Sequence, residues 1–177
     1  RCLSELDRVD DAQSHRWLWF EQTLSTVHLR DYLKILPDFT DIAVEDRAKS
    51  YAFAFPKFHT ALGFFIDWPD LILAARLIET RTNDINGDFF WRLLPAVESL
   101  RARHPLAATL VLRAIITHAL AYAKTSRYAD AAEQLMDCAV LDTEIVDYGP
   151  FQTHEDYFHH LKASHQAKIA FWKKVKI

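Results

Sequence analysis

The chain has 177 residues, half of them hydrophobic and 13% aromatic, so it can fold around a core and is not intrinsically disordered. Only 3 glycines and 6 prolines leave few tight turns, which argues against a β-rich fold. A net charge of −3 gives no electrostatic reason to expect binding to nucleic acid or to an anionic membrane.

Hydrophobic residues recur at helical spacing along the chain, and no segment alternates at a period of two for long enough to predict a strand. Capping residues and prolines mark the helix ends, as at Ser25, Asp41 and Thr153. The predicted elements, in order, are helices Ala12–Leu24, Val27–Leu36, Ile42–Phe55, Lys57–Ile66 and Asp70–Arg81, a loop Thr82–Asp88, a helix Phe89–Arg103 with a kink or restart at Pro95, a helical hairpin His104–Asp142, and a long helix His154–Lys174.

The hairpin organises the rest of the chain. Its first helix, Leu106–Ala123, is apolar nearly all round, which is typical of a buried helix. The exceptions Thr109, Arg113 and Thr117 are four residues apart and therefore share one helix face. The run is about long enough to span a bilayer, but a central Arg costs about 2.5–3.5 kcal/mol on insertion scales, so no membrane association is predicted.

Several positions of the hairpin carry the pattern of a known repeat. They are Ala121-Tyr122, Tyr128, Ala131, Leu135, Cys138 and Leu141-Asp142. The pattern resembles the second half of a tetratricopeptide repeat, although Ala119 replaces the usual Gly and Thr143 replaces the closing Pro. The resemblance implies a degenerate repeat of paired helices.

A second resemblance covers about Leu29 to Val175. The segments that carry it are DYLKILPDF, FHTALGFFIDWPDLILAARLI, HPLAATLVLRAIITHAL, SRYADAAEQL and HEDYFHHLKASHQAKIAFWKKV. They are similar to an uncharacterised bacterial family, a domain of unknown function, and to helical regions that accompany SWIM-type zinc-binding segments. The SWIM cysteine motif is absent from this sequence, and the resemblance implies no particular chemistry.

We therefore predict an all-α fold, an irregular α-solenoid or tetratricopeptide-like stack of antiparallel helix pairs, in a single helical-repeat domain over residues 1–177. Because the first residue is Arg1 and not Met, we expect the chain to be a fragment of a longer protein. Cys2 and Cys138 lie far apart, which disfavours a secreted disulfide framework, and the predicted location is the cytoplasm.

Candidate catalytic and metal-binding residues have simpler explanations. Histidines crowd the last predicted helix, but none pair at the spacing that lets two imidazoles bind one ion, so the alternatives are solvated or core histidines and a metal site completed by another helix. No serine lies in a G-x-S-x-G motif. The pairs Asp38/Asp41 and Asp67/Asp70 lie at helix ends beside proline, where Asp is a typical cap. Neither a metal nor another cofactor is predicted.

Arg113 is the residue for which a binding role is predicted most directly. A charged side chain in an apolar helix needs a partner or a water-filled groove. One interpretation pairs it with Asp130 or Glu133 of the next helix. The other places it in a concave groove, where it binds a partner's carboxylate with two hydrogen bonds.

The predicted function is a non-catalytic protein-interaction or scaffolding module that binds another protein or peptide through a concave surface, with Thr109, Arg113 and Thr117 as the binding residues. The alternative is a regulatory helical domain, or one that binds a small ligand or a metal, by itself or as part of an enzyme. The 12 phenylalanines and 5 tryptophans also predict self-association through an exposed aromatic patch.

Overall fold

The computed structural model describes residues 2–37 and 39–176, with side chains from Asp11 onward. Every regular element in these residues is helical, which confirms the all-α prediction. The α-helices are α1 (Cys2–Thr23), α2 (Thr26–Leu33), α3 (Thr40–Phe53), α4 (Phe58–Asp67), α5 (Leu71–Thr80), α6 (Phe90–Leu100), α7 (Pro105–Ala121), α8 (Tyr128–Asp142), α9 (His154–His165) and α10 (Ile169–Trp172). Short 3-10 helices lie at Thr82–Asp84, Gly87–Phe89 and Thr125–Arg127.

The helices form two compact units that divide between Asp70 and Leu71. The first unit contains α1 to α4 and the second contains α5 to α10. The organisation of the chain as a single helical-repeat domain stays a prediction.

An aromatic core holds the first unit together. Phe20 of α1 is fully buried, and its ring centroid lies 5.7 Å from that of Phe64 in α4. The hydroxyl of Ser25 accepts a hydrogen bond from the amide of His28, which confirms Ser25 as the N-cap of α2. The predicted cap Asp41 lies inside the first turn of α3, because the helix begins at Thr40, two residues before the predicted start at Ile42. Asp38, the predicted partner of Asp41, lies outside the described residues.

Helix α7 is the centre of the second unit and packs against α5, α6 and α8. Nearly every side chain from Ala107 to Leu120 is buried, because partners cover the helix on several sides, and this confirms the predicted buried helix. Among the described residues, none of the helices is both long and apolar enough to cross a membrane.

The segment between α5 and α6 lies directly on α7. A Cβ atom at Gly87 would lie 2.3 Å from the carbonyl oxygen of Ala114, so only glycine allows the two backbones to approach so closely. The segment Thr82–Asp88, predicted as a loop, therefore packs against α7. It contains one 3-10 helix, Thr82–Asp84, and the start of a second, Gly87–Phe89. After it, α6 continues through Pro95 without a restart.

The predicted long last helix is wrong. Helix α9 ends at His165, and the indole N–H of Trp172 donates to the carbonyl of His165 at 2.9 Å after the chain has turned back. The turn lets Phe171 become fully buried, with its ring centroid 5.9 Å from that of Tyr128. The predicted start is confirmed, because the hydroxyl of Thr153 accepts from the amide of Asp156 at 3.2 Å.

Candidate binding cleft

The second unit contains a cleft of about 720 Å³ between the Thr82–Asp88 segment, α7, and the residues around the start of α9. We call it the Arg113 cleft. Its polar lining comprises Thr82, Asn86, Asp88, Arg113, Thr117, His118, Tyr122, Gln152 and Tyr157. Its apolar lining comprises Ile85, Leu110, Ala114, Ala121, Pro150 and Phe151, together with the backbone of Gly87.

Arg113 is the most deeply buried charged group of this cleft, with 6% of its surface exposed. Its Nη1 donates to the carbonyl oxygen of Gln152 at 2.7 Å. Its guanidinium carbon lies 4.5 Å from the ring centroid of Tyr157 and 5.3 Å from that of Tyr148. These contacts attach the loop that precedes α9 to α7, so Arg113 has a structural role in addition to any binding role.

One edge of the Arg113 guanidinium has no hydrogen-bond partner among the residues that the structure describes. Its Nε and Nη2 are buried and make no hydrogen bond within the part of the chain that the structure describes. The carboxylates predicted to pair with it are not its partners, because the acidic groups of Asp130 and Glu133 are exposed and form no ion pair with it. The Nε–H and one Nη2–H point the same way in the guanidinium plane, which is the arrangement that binds two oxygens at once.

The three residues of the predicted polar stripe do not share one environment. Thr117 lines the cleft, and its Oγ1 lies 3.3 Å from the hydroxyl of Tyr157, which donates to the carbonyl of Arg113 at 3.4 Å. Burial raises the pKa of Tyr157, so this phenol stays neutral. Thr109 is fully buried, lies outside the cleft lining, and has no hydrogen-bond partner for Oγ1 in the described residues.

The rim of the cleft carries a second polar pair that the sequence did not reveal. Nε2 of His118 lies 3.2 Å from Oδ1 of Asp88, close enough for an ion pair when the imidazole is protonated. The ring of His118 packs 4.5 Å from that of Tyr122, which is largely exposed. The contact between His118 and Asp88 depends on the close approach of Gly87 to α7, which cannot be read from the sequence. The polar loop that ends at Asp88 is the only sequence signal of this pair.

The loop between α8 and α9 closes one side of the Arg113 side chain. The hydroxyl of Tyr148 donates to Oδ1 of Asp142 at 2.7 Å, and burial together with this carboxylate raises the pKa of Tyr148. The next residue, Gly149, has φ of +53°, a left-handed conformation that other residues rarely adopt. Its amide donates to Oδ1 of Asp147 at 2.7 Å. These bonds fix the ring of Tyr148 beside Arg113.

The other residues considered from the sequence are the candidate metal ligands, Cys138 and the pair Asp67/Asp70. Within the described ranges, no group of three His, Cys, Asp or Glu side chains is placed to hold a metal ion. Cys138 is fully buried, and burial raises the pKa of its thiol to about 12, which disfavours the nucleophilic thiolate. In the pair Asp67/Asp70, the second carboxylate lies 3.1 Å from Nζ of Lys49, so it has a structural partner.

The chain belongs to a family of unknown function (DUF6880), whose family model matches residues 1–174. No curated protein and no solved structure matches the sequence. The expected membership of an uncharacterised family is thus confirmed, while bacterial origin, tetratricopeptide-like repeats and an association with SWIM segments stay predictions.

Proposed function

We propose that this member of a family of unknown function is a non-catalytic interaction module that binds an anionic segment of a partner protein in the Arg113 cleft. The observation that carries the proposal is the unpartnered edge of a buried guanidinium: Nε and Nη2 of Arg113 make no hydrogen bond in the described residues. Arg113 is the main contact in this proposal, Thr117 lies beside it, and Thr109 contributes only through the packing of α7.

The energetics of burial support this role. Moving a charged group out of water costs several kcal/mol, which only well-placed partners offset. Arg113 has one carbonyl acceptor and two aromatic rings but no carboxylate among the described residues. An anion on the edge formed by Nε and Nη2 would supply the missing charge and satisfy the Nε–H and one Nη2–H. The free protein therefore keeps a cost that a partner relieves.

The groups around Arg113 favour binding over catalysis. The hydroxyl of Thr82 donates to the carbonyl of Ile78 at 3.0 Å, and that of Thr117 is engaged with the hydroxyl of Tyr157. The described lining contains neither serine nor cysteine, the commonest hydroxyl and thiol nucleophiles. The groups around Arg113 are better suited to hold a ligand in place.

A second candidate is a regulatory domain that binds a small anionic molecule, alone or within an enzyme. The observation that favours it is the volume of about 720 Å³, which lies within the range of ordinary small-molecule pockets. Convergent polar side chains such as His118 and Thr117 could orient such a ligand.

An array of acidic, phosphorylated and neutral peptides tests the proposal. We expect the wild-type protein to retain anionic peptides over neutral ones, and Arg113→Met to lose that preference while its circular dichroism stays helical. Arg92→Met is the matched control, because Arg92 is exposed, lies in the same unit and does not line the cleft. Equal retention by Arg113→Met and the wild type, or no preference for anionic peptides, would refute the proposal.

The remaining sequence-based predictions belong to the same proposal. They are a tetratricopeptide-like stack with a concave face, a cytoplasmic location and self-association through exposed aromatic residues. Trp91 and Tyr122 are exposed by more than half in the second unit, which supports the last of these. A sedimentation run that gave only monomer at high concentration would contradict self-association.

A further inference from the structure

We infer that the anion accepted by the Arg113 cleft is a carboxylate carried on an apolar body, and not a phosphate. The inference rests on the proposed function, because it names the chemical class of the group that the same site binds. It follows from three properties of the cleft: the geometry of the free guanidinium edge, the charges that face it, and the apolar walls beside it.

The free edge suits a small planar anion. Nη1 of Arg113 is occupied by the carbonyl of Gln152, and the rings of Tyr148 and Tyr157 pack against the guanidinium. Among the described residues, the in-plane edge formed by Nε and Nη2 has no hydrogen-bond partner. The two oxygens of a carboxylate lie in that plane and meet both N–H groups. A tetrahedral phosphate places two further oxygens around the edge, where the described lining offers no second Lys or Arg.

The charge balance of the cleft also favours a single negative charge. Apart from the titratable His118, the charged side chains in the described lining are Arg113 and Asp88, which carry opposite charges. A carboxylate brings one negative charge to one buried cation. A phosphate monoester carries about 1.5 to 2 negative charges at neutral pH. The excess would stay unpaired in a partly desolvated site and would be repelled by Asp88.

The apolar side chains that line the cleft favour a ligand whose carboxylate is attached to a hydrocarbon group. Ile85, Leu110, Ala114 and Phe151 line the cleft next to the polar groups. Each Å² of apolar surface removed from water contributes about 25 cal/mol. A hydrocarbon next to the carboxylate would therefore add affinity that a fully polar anion such as inorganic phosphate lacks.

We expect binding to be coupled to a shift of the loop between α8 and α9. Nε and Nη2 of Arg113 are closed to solvent in this structure, so an anion reaches them only when a covering group moves. The loop carries Tyr148 and Gln152, which contact the guanidinium together with Tyr157 of α9, and Gly149 has a conformation that few other residues adopt. The resonances of this loop should respond to the ligand together with that of Arg113.

The test follows the Nε–H signal of Arg113 by ¹⁵N NMR, with the signal assigned by its loss in Arg113→Lys. The probes share one apolar body: hexanoate, hexyl phosphate and hexanol, at matched ionic strength. We expect hexanoate to shift the signal saturably, with an affinity at least about tenfold higher than that of hexyl phosphate, a difference of about 1.4 kcal/mol. Hexanol should leave the signal in place.

Equal or tighter binding of hexyl phosphate would overturn the inference, and so would the absence of any hexanoate shift. Two further probes separate the sources of the carboxylate. N-acetyl-leucine represents the end of a polypeptide, and N-acetyl-glutamate α-amide represents an acidic side chain. A hexanoate shift without peptide retention would leave the inference standing and refute the proposed function. Stronger retention of phosphorylated peptides than of acidic ones would refute the inference of a carboxylate and leave the proposed function standing.

Discussion

Two buried or partly buried cations, one in each compact unit, differ in how they are neutralised. Lys49 in the first unit has 23% of its side chain exposed, and its Nζ lies 2.8 Å from Oε1 of Glu45 and 3.1 Å from Oδ2 of Asp70. The same Glu45 oxygen accepts a hydrogen bond from Trp68 at 3.0 Å. Arg113 in the second unit is less exposed and has no carboxylate partner in the described chain.

The difference separates a structural cation from a candidate binding cation. The hydrogen bonds from Lys49 and Trp68 lower the pKa of Glu45, and the hydrogen bond to Glu45 raises the pKa of Lys49, so each group stabilises the charge of the other. Lys49, Glu45, Trp68 and Asp70 all lie within the first unit. At Arg113 the burial is greater and the compensation smaller, which points to a partner from outside the chain.

The packing of the cleft wall gives the largest expected effect. Gly87→Ala should lower the free energy of unfolding by about 3 kcal/mol, because its Cβ would meet the Ala114 carbonyl at 2.3 Å and backbone atoms would have to shift. Urea unfolding measures this. Gly63→Ala in α4 is the control: no atom lies within 4 Å of its added Cβ, so helix propensity predicts a gain of about 1 kcal/mol. Similar effects at both glycines would show that the wall is not closely packed.

Replacing Lys49 and Arg113 in turn compares how much each cation contributes to the free energy of unfolding. Lys49→Met should cost about 1–2 kcal/mol, because the carboxylates of Glu45 and Asp70 would lose a shared partner. Arg113→Met should change the free energy of unfolding by less than about 1 kcal/mol, because the loss of the Gln152 bond is offset by relief of a buried charge. Chemical unfolding of both variants gives the values, and a larger loss at Arg113 than at Lys49 would reverse the comparison.

Replacing Thr109, which lies on the same helix as Arg113, is expected to stabilise the folded protein. Its hydroxyl is buried without a hydrogen-bond partner in the described residues, so Thr109→Val should raise stability by about 1 kcal/mol. Thr117→Val is the matched control, because it removes the contact with Tyr157 at an exposed position. A loss of stability in Thr109→Val, measured by thermal unfolding, would mean that the hydroxyl has a partner such as an internal water.

The smallest expected effect is a pH dependence near the cleft. Burial lowers the pKa of His154 below its ordinary value of 6.5, so the folded state favours the neutral imidazole. Its contribution to stability is complete above 6.5 and is lost as the pH falls through the lower folded pKa. His154→Gln should therefore flatten the dependence of unfolding free energy on pH below 6.5. His165, with a pKa lowered in the same direction by burial, leaves a residual slope. An unchanged slope in the variant would show that His154 does not contribute.

The fold was largely predictable from the sequence because it depends on local patterns. The apolar run of α7 and the caps at Ser25 and Thr153 are local signals, and the structure confirms them. The break after His165 was missed because it depends on burying Phe171 against Tyr128, more than forty residues away in the chain. Periodicity alone carries no information about such a contact.

The candidate site was predictable only at its centre. Arg113 and Thr117 stood out because they interrupt an apolar helix, whereas the acceptor Gln152 and the ring of Tyr148 come from an irregular loop. The pair His118 and Asp88 depends on the backbone contact at Gly87. The sequence shows which residue needs compensation, but the fold decides which groups supply it.

The most direct test of the central claim compares the urea unfolding of the wild type and of Arg113→Met, each with hexanoate and with the same concentration of sodium chloride. We predict that hexanoate stabilises the wild type by about 2.7 kcal/mol at a hundredfold excess over its dissociation constant and leaves Arg113→Met unchanged. Equal stabilisation of both proteins, or of neither, would contradict the claim that the free edge of Arg113 is a binding site.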